Sequence, residues 1–382
     1  MIIHKKNNCR KVLLLLFIFG YYPIVDIFGI KYDTDNNILI ISTKIICEQT
    51  NKYVGWPTIA KTQTGKLLVV FSGDRDWHVC PWGKTYMLQS VDSGQTWSEA
   101  KLINNTPLDD RDAGILITDK GTILVSWFNS LAFADKKSRF YNSRYKQYAC
   151  HTEKIPDEIK KKWLGYWIRR SVDGGQTFSD PIPTIGNSPH GPIKLADGRL
   201  LYATNKGVSE SIDDGKTWQK IGDIPLPPHS PGLSEVHAVE TVDGKIIALS
   251  RSNCLRQSVS NDGGYTWSLL KETPMIGYPA HLTRLSNNWI LATYSRRTSP
   301  NPGQRACISK DNGKTWDYKN EITLSIADLP EERIHDYPSS WDFGYPSSVE
   351  LDDGSIYTVY YQMPDRNKKP VIMATHWKIN KD

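Results

Sequence analysis

The sequence contains little cysteine and methionine, six and five residues out of 382. Cys9 lies close to the N-terminus, and the other five cysteines show no C-x-x-C spacing, which excludes a zinc ribbon and leaves any disulfide pairing undetermined. A strong excess of one charge is also missing, because 47 Lys and Arg stand against 41 Asp and Glu and the net charge is only +6. A nucleic-acid partner is therefore not indicated.

Long hydrophobic runs are scarce as well. The clear run covers residues 12–20 and directly follows a basic segment at residues 5–11. It is shorter than the ~20 apolar residues of a membrane-spanning helix, and a basic segment before a short apolar run is typical of a secretory signal. We therefore expect residues 1–30 to be a signal peptide and the protein to be secreted or periplasmic. The alternative is an uncleaved N-terminal anchor, which would be its membrane contact.

Aromatic residues, glycine and proline are abundant, with 13 Trp, 19 Tyr, 27 Gly and 22 Pro. This composition is typical of a large folded β-rich protein, and it excludes a disordered or collagen-like chain. At ~100 to 200 residues per domain the length would allow two or three domains. Whether the chain forms one domain or several therefore depends on its internal repeats.

An eight-residue pattern, Ser-x-Asp-x-Gly-x-Thr-Trp/Phe, occurs five times and begins at Ser90, Ser171, Ser211, Ser260 and Ser309. This pattern is the Asp-box. The Asp accepts backbone N–H hydrogen bonds across a hairpin loop, the Gly takes a positive φ, and the aromatic ring packs between neighbouring sheets. The five boxes are therefore predicted to be structural rather than catalytic.

A second repeat consists of an apolar strand, a turn and another apolar strand. It occurs six times, with turns at Gly65, Gly121, Gly198, Gly244, Asn288 and Gly354. The alternation of apolar and polar residues is that of hairpin strands. The repeats predict an all-β fold, a six-bladed β-propeller of four-stranded antiparallel blades. We expect one domain over residues 38–380, closed by a strand from residues 38–49, with an insertion in blade two at residues 130–165 and a short helix near residues 156–163.

The repeats also predict which residues meet at a site. In a propeller the inner strands start at the mouth of the central channel, and nine positions before the six turns the sequence has Trp56, Asp112, Pro189, Glu235, Pro279 and Tyr345. Arg111 lies one position earlier in its blade, and His237 and His281 lie two positions later in theirs. The second strands are expected to return to the mouth with Asp74, Arg75, Asp76, His78, Arg251, Arg296 and Arg297. This density of ionisable groups indicates chemistry on an anionic ligand.

Three segments resemble the sialidases (neuraminidases), a family of six-bladed Asp-box propellers, and the resemblance covers residues 40–380. GYPSSVELDDGSIYTVYY is similar to the final-blade motif of the family and implies that Tyr345 is the nucleophile. SEVHAVETVDGKIIALSR is similar to the segment with the paired glutamate and the second arginine, here Glu235 and Arg251. QRACISKDNGKTW implies that Arg305 is the third arginine.

The resemblance implies a retaining mechanism that needs no cofactor. The substrate carboxylate would repel an anionic nucleophile, so a neutral tyrosine activated by Glu235 as the base suits the attack. Arginines would hold that carboxylate by charge-assisted hydrogen bonds. The general acid is expected in the first-blade loop, at Asp76 or Asp74, and His78 is an alternative acid or base because its free pKa is ~6.5.

The sequence departs from the family pattern at the first arginine, which aligns with Gly55. Arg75 or Arg111 would have to reach the substrate in its place. Trp56 is expected either to stack against a sugar or to pack between blades. Asp112 is either a site carboxylate or a turn residue. Substrate binding, proton transfer and a structural role all stay open for His237 and His281.

The sequence therefore predicts an exported, sialidase-like exo-glycoside hydrolase that removes a terminal acidic sugar from glycans, with sialic acid as the first candidate. One alternative is a propeller hydrolase or lyase that acts on a uronic acid or a deoxysugar with His78 and other histidines. Another is a non-catalytic Asp-box propeller that binds a glycan or a protein, because function resides in the site and not in the scaffold. The expected partner is a glycan or glycoconjugate.

Overall fold

The computed structural model describes residues 31–33, 38–134, 145–298, 300–327, 342–365 and 368–379. These residues form six antiparallel sheets, five with four strands and one with five, arranged as the blades of a propeller. The fold predicted from the two repeats is therefore confirmed. The predicted signal peptide or anchor at residues 1–30 lies outside the described residues.

The strands follow the chain around the ring. Two strands precede blade one: β1 (Lys31–Asp33) and β2 (Ile38–Cys47). Blades one to three contain β3 (Tyr53–Lys61), β4 (Leu67–Arg75), β5 (Lys84–Ser90), β6 (Lys101–Asn104), β7 (Asp109–Ile117), β8 (Ile123–Ser130), β9 (Tyr166–Ser171), β10 (Ile182–Pro183), β11 (Ile193–Lys194), β12 (Leu200–Thr204), β13 (Gly207–Ser211) and β14 (Gln219–Gly222). Blades four to six contain β15 (His237–Glu240), β16 (Ile246–Ser250), β17 (Arg256–Ser260), β18 (Lys271–Glu272), β19 (Tyr278–Arg284), β20 (Ile290–Arg296), β21 (Gly303–Ser309), β22 (Ile322–Ile326), β23 (Gly344–Glu350), β24 (Ile356–Gln362) and β25 (Val371–Ile379). A short 3-10 helix, Tyr318–Asn320, precedes β22.

The Asp-boxes form the loops between the third and fourth strands of five blades. In the first box the Asp92 carboxylate accepts the backbone N–H of Thr96 at 2.9 Å and its hydroxyl at 2.5 Å. Gly94 supplies the positive φ, 83°. Trp97 reaches the last blade, where its indole N–H donates to the Tyr357 hydroxyl at 3.3 Å. The box therefore fixes a hairpin loop and links two neighbouring blades, as predicted.

Apolar packing between blades forms the core. Each of the six interfaces between neighbouring blades holds its own buried cluster; Leu249 of blade four and Leu282 of blade five, for example, share one. Because each blade covers the faces of its neighbours, the ring must close to cover the last exposed face. It closes where β2 runs antiparallel along β25 from Ile38 to Cys47, which confirms the predicted closing strand.

The insertion in blade two packs against the first-blade loop that carries His78. Its helices are α1 (Tyr145–Glu153) and α2 (Asp157–Trp163), and α2 confirms the helix predicted near residues 156–163. Val79 of the loop shares a buried cluster with Phe133 and Tyr148 of the insertion. Trp82 meets Tyr148 edge to face at 5.5 Å between ring centres. The insertion therefore supports the wall of the channel mouth on the side of blades one and two.

The described part of the chain has neither a long apolar helix nor a disulfide. Neither of its α-helices is long and apolar enough to cross a membrane. Five cysteines are free thiols: Cys47, Cys80, Cys150, Cys254 and Cys307. Within these residues the ring is therefore held by packing and strand pairing, without covalent cross-links.

The backbones of blades two and three touch at Gly114 and Gly191. A Cβ atom on Gly114 would lie 2.3 Å from the Gly191 nitrogen and 2.7 Å from the His190 carbonyl carbon. We expect Gly114→Ala to lower the free energy of unfolding by about 3 kcal/mol, because backbone atoms of the neighbouring blade must move to admit the methyl group. Urea unfolding measures this, with Gly232→Ala as the control because its Cβ meets nothing within 4 Å. Equal stability of the two variants would contradict the expectation.

Candidate active site

Four candidate residues occupy the same distorted position in their blades. Trp56, Asp112, Glu235 and Tyr345 have positive φ values of 55°, 51°, 47° and 53°, a left-handed conformation that costs about 1–3 kcal/mol for a residue other than glycine. The two remaining blades have proline at this position, and the proline ring fixes φ near −65°. Strand pairing shifts its register at this point in blades one, two and six. The resulting bulges re-aim the side chains and bring them together at the channel mouth.

Tyr345, Glu235 and Arg251 form a hydrogen-bonded group. The Tyr345 hydroxyl donates to Glu235 Oε1 at 2.5 Å. One Arg251 nitrogen donates to both Glu235 oxygens, at 2.7 and 2.6 Å, and lies 3.5 Å from the Tyr345 hydroxyl. These three residues come from blades six and four, and the structure brings them together as the register predicts. Their catalytic and binding roles stay predictions.

The protonation states of this group suit a base beside a phenol. Burial, together with the negative charge of Glu235, raises the pKa of Tyr345 well above its usual value. Burial would also raise the pKa of Glu235, but the Arg251 charge and the hydrogen bonds from Arg251 and Tyr345 together hold that pKa below the usual value. At neutral pH the pair is therefore a neutral tyrosine whose proton points at an ionised carboxylate, the arrangement that a tyrosine nucleophile requires.

Arg297 provides a second cation on the same side of the mouth. The guanidinium carbons of Arg251 and Arg297 lie 4.6 and 5.3 Å from the centre of the Tyr278 ring. Arg297 is held by the Phe343 carbonyl, to which its Nε donates at 2.9 Å. Its charge also helps to lower the pKa of Glu235. Two guanidinium groups therefore face the region next to Tyr345, where they could bind a carboxylate together.

Arg305, which the resemblance implied as the third arginine, lies elsewhere. It is buried in β21, where its Nε lies 3.3 Å from Glu321 and its guanidinium donates to backbone carbonyls. Arg296 also pairs with Glu321, at 3.3 Å. Contrary to the prediction, Arg305 therefore belongs to an ion-pair cluster of blade five, whereas Arg297 of the same blade lies with Arg251 at the Tyr278 ring.

His78 is part of a second buried network, with a residue that the sequence reasoning missed. His78 Nδ1 lies 2.8 Å from Asp342 Oδ2. The hydroxyls of Tyr53 and Tyr361 each donate to Asp342 at 2.6 Å, and Arg111 lies 3.3 Å from the other histidine nitrogen. Burial would raise the pKa of Asp342, but His78, the charge of Arg297 and the hydrogen bond from Tyr361 lower it to about 2. Burial lowers the pKa of His78 even beside this carboxylate, so the histidine is neutral at pH 7.

Asp342 carries no repeat signal that would have revealed it. It lies before β23 and outside both repeats. The sequence indicates it in one way, by its position three residues before Tyr345. Its partners come from blades one and six, which only the closed ring brings together. A short-range motif search around the predicted nucleophile could have found it.

Trp56 lies beneath the site and not in its wall. Its ring is fully buried, between the guanidinium groups of Arg111 and Arg75 at 4.7 and 4.9 Å. Arg75 is itself fully buried and forms a double hydrogen bond to Asp109 at 2.6 and 2.9 Å. Of the two roles predicted for Trp56, the structure shows packing between blades, and Arg75, predicted to bind substrate, is instead fully buried in its pair with Asp109.

The predicted general acid, Asp76, lies outside the group at the mouth. Its carboxylate accepts hydrogen bonds from Lys52 at 3.1 Å and from the Trp82 indole at 3.0 Å. Asp74 pairs with Lys52 and Lys84. Both aspartates are therefore held by lysines at the edge of blade one, and the proton donor at Asp76 or Asp74 stays a prediction.

Three histidines fill the channel below Tyr345. His237 and His281 stack at 4.5 Å between ring centres, and His190 meets His281 edge-on at 5.1 Å. The Nδ1 atoms of His237 and His281 accept the backbone N–H groups of Leu282 and Ser348. Burial lowers the pKa of all three rings, and no group in the described chain is arranged to hold a metal ion. His237 and His281, predicted as substrate-binding, thus pack the channel as neutral rings.

An open cavity of about 500 Å³ lies beside the group, on the side of blades two to four. Asp112 and Glu235 lie in its lining, together with Phe128, Tyr166 and side-chain amides. Leu131 and Leu164, near the two ends of the insertion, also line the cavity. The cavity therefore begins at the carboxylate that binds Tyr345 and extends toward the insertion.

Comparison with known proteins places this geometry in context. A family described as BNR repeat-like domain matches residues 160–358. A xyloglucanase from Paenibacillus sp. is 25% identical over 208 residues, and the match spans 47% of this chain but only 19% of that protein. A protein of unknown function from Dyadobacter fermentans superposes with a TM-score of 0.71 at 21% identity, covering 90% of this chain and 100% of that one. The NanB sialidase of Streptococcus pneumoniae superposes with a TM-score of 0.59 at 15% identity, covering 94% and 71%. At these identities the structural likeness shows the fold.

Proposed function

The chain belongs to the BNR repeat-like domain family, and from this premise we propose that it is an exported glycoside hydrolase that removes a terminal acidic sugar from a glycan. The hydrogen bond from Tyr345 to Glu235, next to Arg251, carries the proposal. Both partners are held in left-handed backbone conformations, and such strain clusters at active sites. Relatives named as a xyloglucanase and a sialidase support a glycan as the substrate. Sialic acid is the first candidate sugar.

In the proposed reaction Tyr345 attacks the anomeric carbon while its proton passes to Glu235. The covalent sugar–tyrosine bond is then hydrolysed, so the sugar keeps its anomeric configuration after two displacements. Glu235 returns the proton to Tyr345 in the second step. The hydrogen bond between these residues supports this exchange, since the Tyr345 hydroxyl already donates to the Glu235 carboxylate.

The acidic sugar is proposed to be held by two arginines. Position 55 aligns with the first arginine of the sialidases but is a glycine here. A Cβ atom added to this glycine would lie 3.1 Å from the Tyr53 ring and 3.4 Å from Tyr361. The two tyrosines that bind Asp342 thus occupy the space of that side chain. Arg251 and Arg297 are therefore the proposed carboxylate ligands, with Arg111 near the same mouth.

We expect Arg297→Lys to raise the KM for an acidic glycoside about 10- to 100-fold, because a lysine cannot make the paired hydrogen bonds of a guanidinium. Steady-state kinetics of Arg297→Lys and Arg305→Lys measure the contrast. Arg284→Lys, on an exposed position of β19, serves as the control. A rise in KM for Arg305→Lys alone would instead support the ligand inferred from the sequence.

The proposed function is tested by fluorophore release from aryl glycosides. The panel contains the α-ketoside of N-acetylneuraminic acid, a β-glucuronide, an α-rhamnoside and an α-fucoside. Turnover of the sialoside supports the first candidate sugar. Turnover of another panel member would identify that sugar as the substrate and would link the changed specificity to the glycine at position 55. Binding of glycans without turnover of any panel member would favour a non-catalytic propeller and would refute the hydrolase.

The buried His78–Asp342 pair supports a second candidate, a propeller hydrolase or lyase that uses His78 as its base. The carboxylate holds the histidine by its Nδ1, so the other nitrogen is presented toward Arg111, as in a base with an orienting partner. His78→Ala and Tyr345→Phe separate the two candidates. Loss of turnover in the first with little effect in the second would favour this alternative.

A further inference from the structure

We propose that Asp112 is the proton donor of the reaction and that the cavity next to it binds the departing part of the substrate as a neutral sugar; this inference rests on the proposed function. Two observations point to it. Asp112 shares its cavity and its backbone distortion with Glu235, and one of its oxygens is buried without a hydrogen-bond partner in the described part of the chain.

The bulge places Asp112 beside the reaction centre. Asp112 and Glu235 lie at the same position of their blades, both left-handed and both in the lining of the cavity. Within the described part of the chain, Asp112 Oδ1 has no hydrogen-bond partner, and Arg111 Nε lies 3.9 Å from it, beyond hydrogen-bond distance. A buried carboxyl oxygen without a partner costs free energy. That cost falls on the ionised form, so the surroundings favour a protonated Asp112.

The ionisation of Asp112 suits a donor. Burial, opposed by Arg111 and reinforced by the charge of Glu235, raises the pKa of Asp112 to about 6. The charged and titratable groups around it are Arg111, Arg75, Asp109, Glu235, Tyr345 and Tyr202. Below that pH Asp112 is protonated while Glu235 is ionised, since Arg251 lowers the pKa of Glu235. Two carboxyl groups of one cavity thus take opposite protonation states, which separates acid from base.

The cavity favours a neutral sugar. Within the described part of the chain its lining includes no lysine or arginine, so neither Arg251 nor Arg297 lines it. The Phe128 and Tyr166 rings, with centres 6.5 Å apart, offer apolar faces. Side-chain amides and hydroxyls that suit sugar hydroxyls come from Asn187, Asn205 and Ser130. Glu235, which contacts Arg251 and also lines the cavity, thus separates the place of the acidic sugar from that of the neutral one.

The proton balance of the step is complete. As Tyr345 bonds to the anomeric carbon, the bond from that carbon to the leaving oxygen breaks, and Asp112 gives that oxygen its proton. Asp112, now ionised, takes a proton from the incoming water, whose oxygen bonds to the anomeric carbon. The carbon–tyrosine bond breaks and Glu235 returns its proton to the phenolate, so one water is consumed and every group is restored.

The test varies the leaving group. With the sugar that the aryl panel identifies, Asp112→Asn is expected to lower kcat/KM about 10²- to 10³-fold for a disaccharide, whose leaving oxygen needs a proton. For the 2,4-dinitrophenyl glycoside, whose leaving group departs without one, kcat/KM should fall less than about tenfold. In the wild type, kcat/KM for the disaccharide should decline above about pH 6, the pKa of Asp112, and this decline should vanish in Asp112→Asn.

Asp119→Asn, an exposed aspartate of the same blade, is the matched control. Equal losses on both substrates, or the same leaving-group dependence in Asp76→Asn, would overturn the assignment of the donor. Phe128→Ala should raise the KM for the disaccharide and leave that for the aryl glycoside unchanged; equal effects would overturn the neutral-sugar subsite. If the wild type cleaves no glycoside, the proposed function itself fails and this inference fails with it.

Discussion

Tyr345→Phe is expected to lower kcat for the cleaved glycoside at least about a thousandfold, the largest functional effect that this site predicts. The substitution removes one hydroxyl, the one that donates to Glu235 at 2.5 Å. Without it the enzyme has no nucleophile for the first displacement and no covalent intermediate to hydrolyse. Initial rates on the panel substrate measure the loss, and urea unfolding should show a change in stability of no more than about 2 kcal/mol.

Two further variants distinguish a chemical role of Tyr345 from a structural one. Glu235→Gln keeps the size of the side chain but cannot take the proton, so it should also lose turnover, about 10²- to 10⁴-fold. Tyr265→Phe removes a hydroxyl from an exposed ring of the fourth Asp-box and should keep full activity. Retention of more than about a tenth of the wild-type rate by Tyr345→Phe would show that tyrosine is not the nucleophile and would direct attention to the His78–Asp342 pair.

Asp109→Ala is expected to lower the free energy of unfolding by about 3–5 kcal/mol, because it leaves the guanidinium of Arg75 buried without its counter-charge. Both side chains are fully buried, and two hydrogen bonds, at 2.6 and 2.9 Å, join them. Arg75 also donates to the backbone carbonyl of His78 at 2.8 Å. The loop that carries His78 should therefore loosen together with the pair, which near-UV circular dichroism and urea unfolding would detect.

A double variant keeps this prediction testable if the single one fails to fold. Arg75→Met with Asp109→Leu removes both charges at once and should recover most of the lost stability, because apolar groups can replace a buried ion pair at little cost. Lys220→Met, which breaks an ion pair with Asp223 on the surface, should change stability by no more than about 1 kcal/mol. A loss in Asp109→Ala as small as that of the surface pair would show that water reaches Arg75.

The sequence was sufficient to predict the ring because its signals are local and repeated. Each Asp-box closes its own loop through hydrogen bonds between residues four positions apart, as between Asp92 and Thr96. The six turns specify six hairpins by alternation of apolar and polar residues. The closing strand β2 was predictable because an apolar strand at one end of the chain had to complete the blade at the other.

The meeting of Tyr345, Glu235 and Arg251 was also predicted from the sequence, because the distance to a turn determines where a residue stands along its inner strand. Counting nine residues back from each turn also placed Trp56 and Asp112 at this same strand position. It did not show how far each side chain is buried. The ring of Trp56 is covered by Arg75 and Arg111, and this depends on the neighbouring blade.

The sequence by itself determined the fold, the closure of the ring and the position of each blade's distorted residue, since these follow from short-range hydrogen bonds and hydrophobic periodicity. Only the tertiary structure decided which charges meet. It paired Arg305 with Glu321, Arg75 with Asp109, and His78 with Asp342. Such choices depend on side-chain direction and on burial between elements far apart in the chain, because a buried charge must find a partner wherever the fold offers one. Asp112 has Arg111 at 3.9 Å as its counter-charge, but its buried Oδ1 has no hydrogen-bond partner within the described chain.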